Sequence, residues 1–193
     1  MYVVERAKSM LLTPSREWDD IADEAITIPE LYRKWILVMA AIPAVATFVR
    51  ISIIGAGIFG TSYRVPVAIG LAHALTTYAL TLASVWVLAF VIDVLAPKFG
   101  AHRNFRQAFK VAAFAPTAAW VAGAFSILPV LSMLGFLGLY SLFLLHLGLP
   151  RVMNSAPEKS LAYTATVTLA ALLTYVAVVL VTGFILPRSG ALT

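Results

Sequence analysis

Four ionisable residues stand within or beside long apolar stretches of the sequence. His73 and His146 lie inside such stretches, and Asp93 and Lys110 lie where the stretches end or begin. Ionisable groups inside a membrane commonly serve in ion pathways, proton relays or ligand binding. Neither histidine has a carboxylate neighbour in the sequence, so we predict neutral, hydrogen-bonded contacts between helices for both. Metal or proton binding is the alternative.

Asp93 and Lys110 bracket the most polar loop after the N-terminal segment. They predict either an interfacial salt bridge that fastens the second and third helices together or separate hydrated groups. With His102, Arg103 and Asn104 they also form the only cluster that a lipid-acting enzyme could use. Loops gather polar residues for solvation alone, and that explanation is sufficient here.

Sequence motifs of known chemistry are missing. There is no His-Glu-x-x-His, no Gly-x-Ser-x-Gly and no second intramembrane acid to pair with Asp93. The glycines of segment 55–60 do not join a strand to a helix as a nucleotide-binding loop would. Absence of cysteine excludes disulfides, thiolate metal sites and cysteine nucleophiles. We therefore predict that the protein is not an enzyme and has no cofactor or metal.

The elements that carry these residues are predicted from composition. Apolar residues make up 61% of the chain and charged residues 12%, whereas soluble domains have about 45–50% and about 25%. Uncharged runs reach the roughly 20 residues that a helix needs to cross a bilayer. They lack the period-two polarity of a barrel strand. The sequence predicts an all-α integral membrane protein, a bundle of five transmembrane helices with a short amphipathic cytoplasmic N-terminal segment.

The span boundaries follow from the uncharged runs. The run from Val111 to Pro150 is about twice as long as one crossing requires, so we divide it at a tight hairpin around Ser126 to Val130, where Pro129 interrupts the helix. Segment 1–34 precedes the spans and a short tail, 188–193, follows them. The predicted spans are about 35–54, 66–92, 108–127, 130–149 and 161–186.

Basic residues are shared unequally between the two sides of the predicted bundle. All but three of the 14 lie in the N-terminal segment or in the connections after the second and fourth spans; the exceptions are Arg50, Arg64 and Arg188. By the positive-inside rule the N-terminus is cytoplasmic and the C-terminus outside. The net charge of +5 indicates contact with a bilayer surface. The sequence has no basic run interleaved with aromatic residues, so it does not predict nucleic-acid binding.

An amphipathic helix is predicted before the first span. Thr13-Pro14 is typical of a helix start. The apolar stripe is formed by Trp18, Ile21, Ala22 and Ala25. We expect this helix to lie on the bilayer with Trp18 at the headgroups; the alternative is a docking surface for a cytoplasmic or membrane protein partner that uses the acidic face. The candidate contacts are Pro14, Trp18, Asp19 and Asp20.

Small residues predict helix-packing seams in the third and fourth spans, because they let two backbones approach closely. They recur every four positions in the third span and every three in the fourth. The members are Ala115, Ala119, Gly123, Gly135 and Gly138. We interpret both seams as internal to the bundle, and a seam between copies in a homo-oligomer remains open.

Four segments together resemble the bacterial branch of the Yip1-domain membrane proteins: Leu12–Glu24, Asp93–Gly100, Gln107–Pro116 and Gly138–Pro150. The resemblance covers nearly the whole chain and implies a cytoplasmic N-terminal region followed by five closely packed helices. Eukaryotic members are associated with Rab GTPases and with vesicle traffic between the endoplasmic reticulum and the Golgi. The short N-terminal segment here has no close equivalent of their aromatic-and-glycine motif, so the resemblance implies fold and membrane placement rather than that role.

The sequence as a whole predicts a non-enzymatic scaffold of the bacterial inner membrane that recruits a partner or organises lipid. A small transporter or channel is the alternative, suggested by Pro116, Pro129 and the two membrane histidines. An enzyme acting on lipid is a third class and would depend on the polar segment 93–110.

Overall fold

The computed structural model describes residues 2–58 and 61–184. Five helical segments in this part of the chain are long and apolar enough to cross a membrane. We call them the first to fifth spans: Ile28–Gly55, Val67–Phe99, Phe105–Ile127, Met133–Met153 and Pro157–Gly183. They confirm the predicted all-α membrane bundle. The predicted tail, 188–193, and the last residues of the predicted fifth span lie outside the described residues.

Two short helices precede the spans, α1 (Tyr2–Leu12) and α2 (Pro14–Asp23). Only α2 was predicted from the sequence. Pro14 occupies the first turn of α2, as expected, but the Thr13 side chain does not cap this helix. Its hydroxyl instead donates to the Ser9 carbonyl at 3.2 Å, which gives one of the last carbonyls of α1 a hydrogen-bond partner. The two helices therefore form a hairpin, which we call the N-terminal hairpin.

The first span is one continuous helical segment of alternating geometry. It runs as α-helix over Ile28–Leu31, π-helix over Tyr32–Ile36, α-helix over Leu37–Phe48 and π-helix over Val49–Gly55. It begins at Ile28, earlier than the predicted start near residue 35, because its charged first turns continue the helix beyond the apolar run. A salt bridge between Glu30 and Lys34, one turn apart, supports this extension.

A small β-hairpin joins the first and second spans. Its strands, β1 (Ala56–Ile58) and β2 (Thr61–Tyr63), are antiparallel, with Gly57 paired with Ser62. Gly55 precedes the hairpin with φ at 105°, a conformation that glycine adopts without strain. The strands belong to a connection between helices and leave the bundle architecture unchanged.

The second and third spans meet through a glycine-ended turn. An α-helix over Val67–Leu95 continues as a 3-10 turn over Ala96–Phe99 and ends at Gly100. The third span consists of an α-helix over Phe105–Phe114, a second over Thr117–Gly123 and a 3-10 turn over Ala124–Ile127. The break falls at Pro116, whose ring cannot donate the helix hydrogen bond.

The chain reverses at Leu128, within the predicted hairpin region. A 3-10 segment over Pro129–Leu139 leads into an α-helix over Tyr140–Met153, and the two together form the fourth span. A short 3-10 turn over Pro157–Lys159 then opens the α-helix over Ser160–Gly183 of the fifth span.

The third span lies at the centre of the bundle. In its most apolar window 67% of residues are buried, against 11% for the fifth span. It packs against the first, second and fourth spans, while the second also contacts the fifth. The N-terminal hairpin packs on the third and fourth spans. We call the end of the bundle that carries it the hairpin end and the other the opposite end.

Candidate functional site

Arg6 holds the two helices of the N-terminal hairpin together. Its guanidinium contacts Glu17 Oε1 at 2.8 Å and Glu24 Oε2 at 2.7 Å, and also the Tyr2 hydroxyl. Only 11% of the Arg6 side chain is exposed. Burial would by itself lower the pKa of Arg6, but the hydrogen bonds to Glu24, Tyr2 and Glu17 outweigh it and raise that pKa above its ordinary value. The hairpin thus has a permanently charged central link.

Trp18 fixes α2 to the bundle. It is fully buried, and a Cβ placed on Gly148 of the fourth span would lie 2.6 Å from the indole Cζ2. The ring also meets Phe114 edge-on, with the centroids 6.4 Å apart. The prediction that Trp18 lies at the headgroups is therefore wrong. Trp18, Ile21 and Ala22 of the predicted stripe pack on the bundle instead, because an apolar groove between helices removes them from water as lipid would. Ala25 lies beyond the end of α2 and is exposed, so its place in the stripe was predicted wrongly.

Lys110 and Gln107 of the third span cap the end of α2. The Lys110 ammonium donates to the carbonyls of Ile21 and Ala22 at 2.8 and 3.1 Å, and the Gln107 side chain donates to Ala22 at 3.1 Å. The last carbonyls of a helix lack partners within it and carry the negative end of its dipole. A buried cation here satisfies both, which explains why Lys110 is only 2% exposed.

The outer face of α2 is acidic and accessible. Asp19, Asp20 and Asp23 are all exposed on it, and we call these three residues the acidic face. Asp19 forms a salt bridge of 3.3 Å with Arg151 at the end of the fourth span, although 66% of its side chain stays exposed. Pro14 is half-buried at the start of α2. Of the predicted contact residues, Asp19 and Asp20 are therefore accessible to a partner and Trp18 is not.

Asp93 and Lys110 do not pair with each other. Asp93 Oδ2 accepts two hydrogen bonds from the Arg103 guanidinium, at 2.8 and 3.0 Å, while Lys110 serves α2 as described. Asn104 caps the third span by accepting from the Gln107 backbone amide at 3.2 Å. The polar segment 93–110 is thus divided among separate structural contacts rather than gathered into one cluster.

The two membrane histidines lie in different places. His146 Nδ1 is 3.1 Å from Thr164 Oγ1, which links the fourth and fifth spans. The Thr164 hydroxyl donates to the Ser160 carbonyl at 2.9 Å, so the histidine nitrogen must be the donor in this contact. His73 lies in the second span at the opposite end, where it is 9% exposed and its Nδ1 has no partner among the described residues.

The predicted packing seams are partly present. A Cβ on Gly123 would lie 2.6 Å from the Cβ of Pro43 in the first span, and one on Gly138 would lie 3.2 Å from the Cα of Ala119. Ala115 is buried. Gly135 has nothing within 4 Å of its added Cβ, so the prediction of an internal contact is wrong there. Gly135 lies in the 3-10 segment Pro129–Leu139, one turn before Gly138, and is exposed.

Several important residues were missed from the sequence. Arg6 was not singled out because α1 itself was not predicted, and Gly148 stands alone in an apolar run. Gln107 and Arg151 looked like ordinary surface residues. One signal was available: Lys110 lies inside the predicted third span, 108–127, where a cation requires oxygen partners from another segment.

Comparison with known proteins agrees with this architecture. The Yip1 domain family model matches residues 8–180. The chain is 30% identical over 158 residues to the inner membrane protein YohC of Escherichia coli strain K12, which covers 79% of this chain and 81% of that protein. The same values hold for YohC of E. coli O6:H1. No solved structure matches the chain significantly.

Proposed function

The chain belongs to the Yip1 domain family of multi-pass membrane proteins, and from this premise we propose that it is a non-enzymatic scaffold that recruits a cytoplasmic protein partner through its acidic face. The observation that carries the proposal is the division of α2 into two faces. One face is locked into the bundle through Trp18, and the other presents Asp19, Asp20 and Asp23.

The rigidity of the N-terminal hairpin supports a docking role. Arg6 joins its two helices, Lys110 caps α2 and Trp18 packs against Gly148. A surface held in this way loses little conformational entropy when it binds. Three exposed carboxylates on one helix face are complementary to a basic protein surface and unfavourable for the anionic lipid beside them. The occupant that suits the acidic face is therefore a basic protein segment.

The orientation that this role requires has independent support. Basic residues cluster at the hairpin end, as expected for a cytoplasmic side. The E. coli relative is named an inner membrane protein. We therefore place this chain in the bacterial inner membrane with the N-terminus in the cytoplasm and the C-terminus outside.

Photo-crosslinking in cells tests the docking proposal. A photoreactive residue at Asp20 should capture one specific protein, and the same residue at Lys98, also exposed at the hairpin end, should not capture it. Changing both Asp19 and Asp23 to Asn should abolish the capture at position 20, because electrostatic complementarity is lost. Labelling of lipid alone at position 20, or the same protein at both positions, would overturn the proposal.

Transport is the second candidate, and one structural observation favours it. The Ser52 hydroxyl and His73 Nδ1 are buried at the opposite end without partners among the described residues, and the third span is broken at Pro116. Transporters use interrupted helices and buried polar groups to hold what they carry. Purified protein in liposomes that moved an ion or metabolite, with His73→Ala abolishing movement, would favour transport. Failure across a broad panel would remove this candidate.

A further inference from the structure

The opposite end of the bundle carries basic side chains and no acidic ones. All nine Asp and Glu residues lie between positions 5 and 30 or at positions 93 and 158, which are at the hairpin end. Arg50 stands near the end of the first span, and Arg64 stands just before the second. The Val65 amide donates to the Ile51 carbonyl at 2.9 Å, so the two arginines lie on adjoining backbone segments. No carboxylate side chain of this chain can neutralise them.

An apolar groove between the first and second spans leads toward these arginines. Its volume is about 310 Å³, within the range of about 300–1,000 Å³ usual for ligand sites. It is lined by Ala44, Val45, Phe48, Leu71, Ala74 and Leu75, among others. Val45 and Leu75 are each 58% exposed, so the groove opens sideways to the bilayer. An apolar chain from the surrounding lipid can enter it without crossing the protein.

Buried polar atoms without a partner in the described part of the chain lie beyond the Phe48 end of the groove. They are Arg50 Nε, Ser52 Oγ and, on the adjoining turn of the second span, His73 Nδ1. Ser52 and His73 are 7% and 9% exposed. Ser52 is held against Gly70, where any added side chain would collide with its hydroxyl. Of these residues only Arg50 is half-buried as a whole, so its guanidinium is the group that an anion from the bilayer surface can approach.

We propose that the first and second spans bind one anionic phospholipid of the leaflet at the opposite end. The phosphate accepts hydrogen bonds from the Arg50 and Arg64 guanidinium groups, and one acyl chain occupies the groove. A guanidinium matches a phosphate in charge and in the spacing of its donors. Arg50 follows Phe48, the last groove residue of the first span, by two positions, and its long side chain reaches the same end of the bundle as Arg64. This site is separate from the acidic face and does not depend on its function.

Lipid retention measured by native mass spectrometry tests the proposal. The probes are phosphatidylglycerol and phosphatidylcholine with identical acyl chains, each added to the purified full-length protein. We expect one phosphatidylglycerol to be retained about tenfold better than phosphatidylcholine, because both lipids carry the phosphate but the choline cation of phosphatidylcholine is repelled by the two guanidinium groups. Arg64→Gln should remove this preference. Ala74→Leu, which fills the groove, should weaken the retention of both lipids. Arg106→Gln, an exposed change at the hairpin end, should alter neither.

Four results would overturn the proposal. Equal retention of both lipids by the unaltered protein would show unspecific coating of the bundle. An unchanged preference for phosphatidylglycerol in both Arg64→Gln and Arg50→Gln would show that these arginines do not contact the phosphate. Because Arg64 is exposed, its variant tests the contact even if Arg50→Gln fails to fold. Retention of inorganic phosphate as strong as that of the lipid would assign the site to a free anion. Crosslinking of Val45→Cys to a second copy would assign it to a dimer contact.

Discussion

Lys110 illustrates at the scale of one residue how the bundle secures its N-terminal hairpin. Lys110→Met keeps the aliphatic stem but removes the donors to the Ile21 and Ala22 carbonyls. We expect docking of α2 to weaken by about 1–3 kcal/mol, the cost of leaving buried acceptors unpaired. Hydrogen exchange of the α2 amides measures this. Arg106→Met, at an exposed site one turn earlier, is the matched control. Equal protection in both variants would contradict the capping role.

Arg6 leads to a prediction about pH. Its pKa is raised in the folded protein, so its stabilising charge is fully present at every pH below the ordinary arginine value and is lost only above it. Arg6→Gln should therefore lower the protection factors of α2 by a similar ratio at about pH 6 and about pH 9. The protection factors fall because Glu17 and Glu24 lose the cation that they share in the folded hairpin. A loss confined to one of these pH values would show that another titrating group controls the hairpin.

At the scale of elements, two glycines of the fourth span provide a matched pair. Gly148→Leu would force a side chain into the Trp18 indole and displace α2, whereas Gly135→Leu meets nothing within 4 Å. Overpacking of this kind costs about 1–3 kcal/mol. Trypsin should therefore cleave the N-terminal hairpin faster in the Gly148 variant only. Equal cleavage rates in the two variants would mean that α2 does not rest on the fourth span.

The helices differ in how far sequence alone could predict them. The spans were predictable because bilayer thickness demands long apolar runs, and the reversal near Leu128 was predictable from Pro129. The π-helical turns of the first span carry no distinct sequence pattern. The position of Trp18 was mispredicted for a physical reason: an amphipathic stripe has the same pattern whether lipid or a helix bundle covers it. Asp19 and Asp20 are exposed on the polar face, as their charge leads one to expect, and their contact with a partner stays a prediction.

At the scale of the whole molecule, we propose that one end of the bundle docks a protein partner and that the other binds lipid. This assignment depends on the N-terminal hairpin being both docked and cytoplasmic. The unequal distribution of basic residues predicts that the hairpin is on the cytoplasmic side. The contacts of Trp18, Lys110 and Arg6 hold it on the bundle. The protein has no native cysteine, so single cysteines can test both conditions without background.

The most direct measurement compares Asp20→Cys with Ile21→Cys, using a membrane-impermeant maleimide on vesicles of each orientation. The two positions are adjacent on α2, but Asp20 is exposed and Ile21 is fully buried. If α2 is docked and cytoplasmic, we expect rapid labelling at position 20 only in inside-out vesicles and slow labelling at position 21 in both orientations. Labelling of position 20 from the outside would reverse the topology, and equal labelling of the two positions would show that α2 is not docked on the bundle.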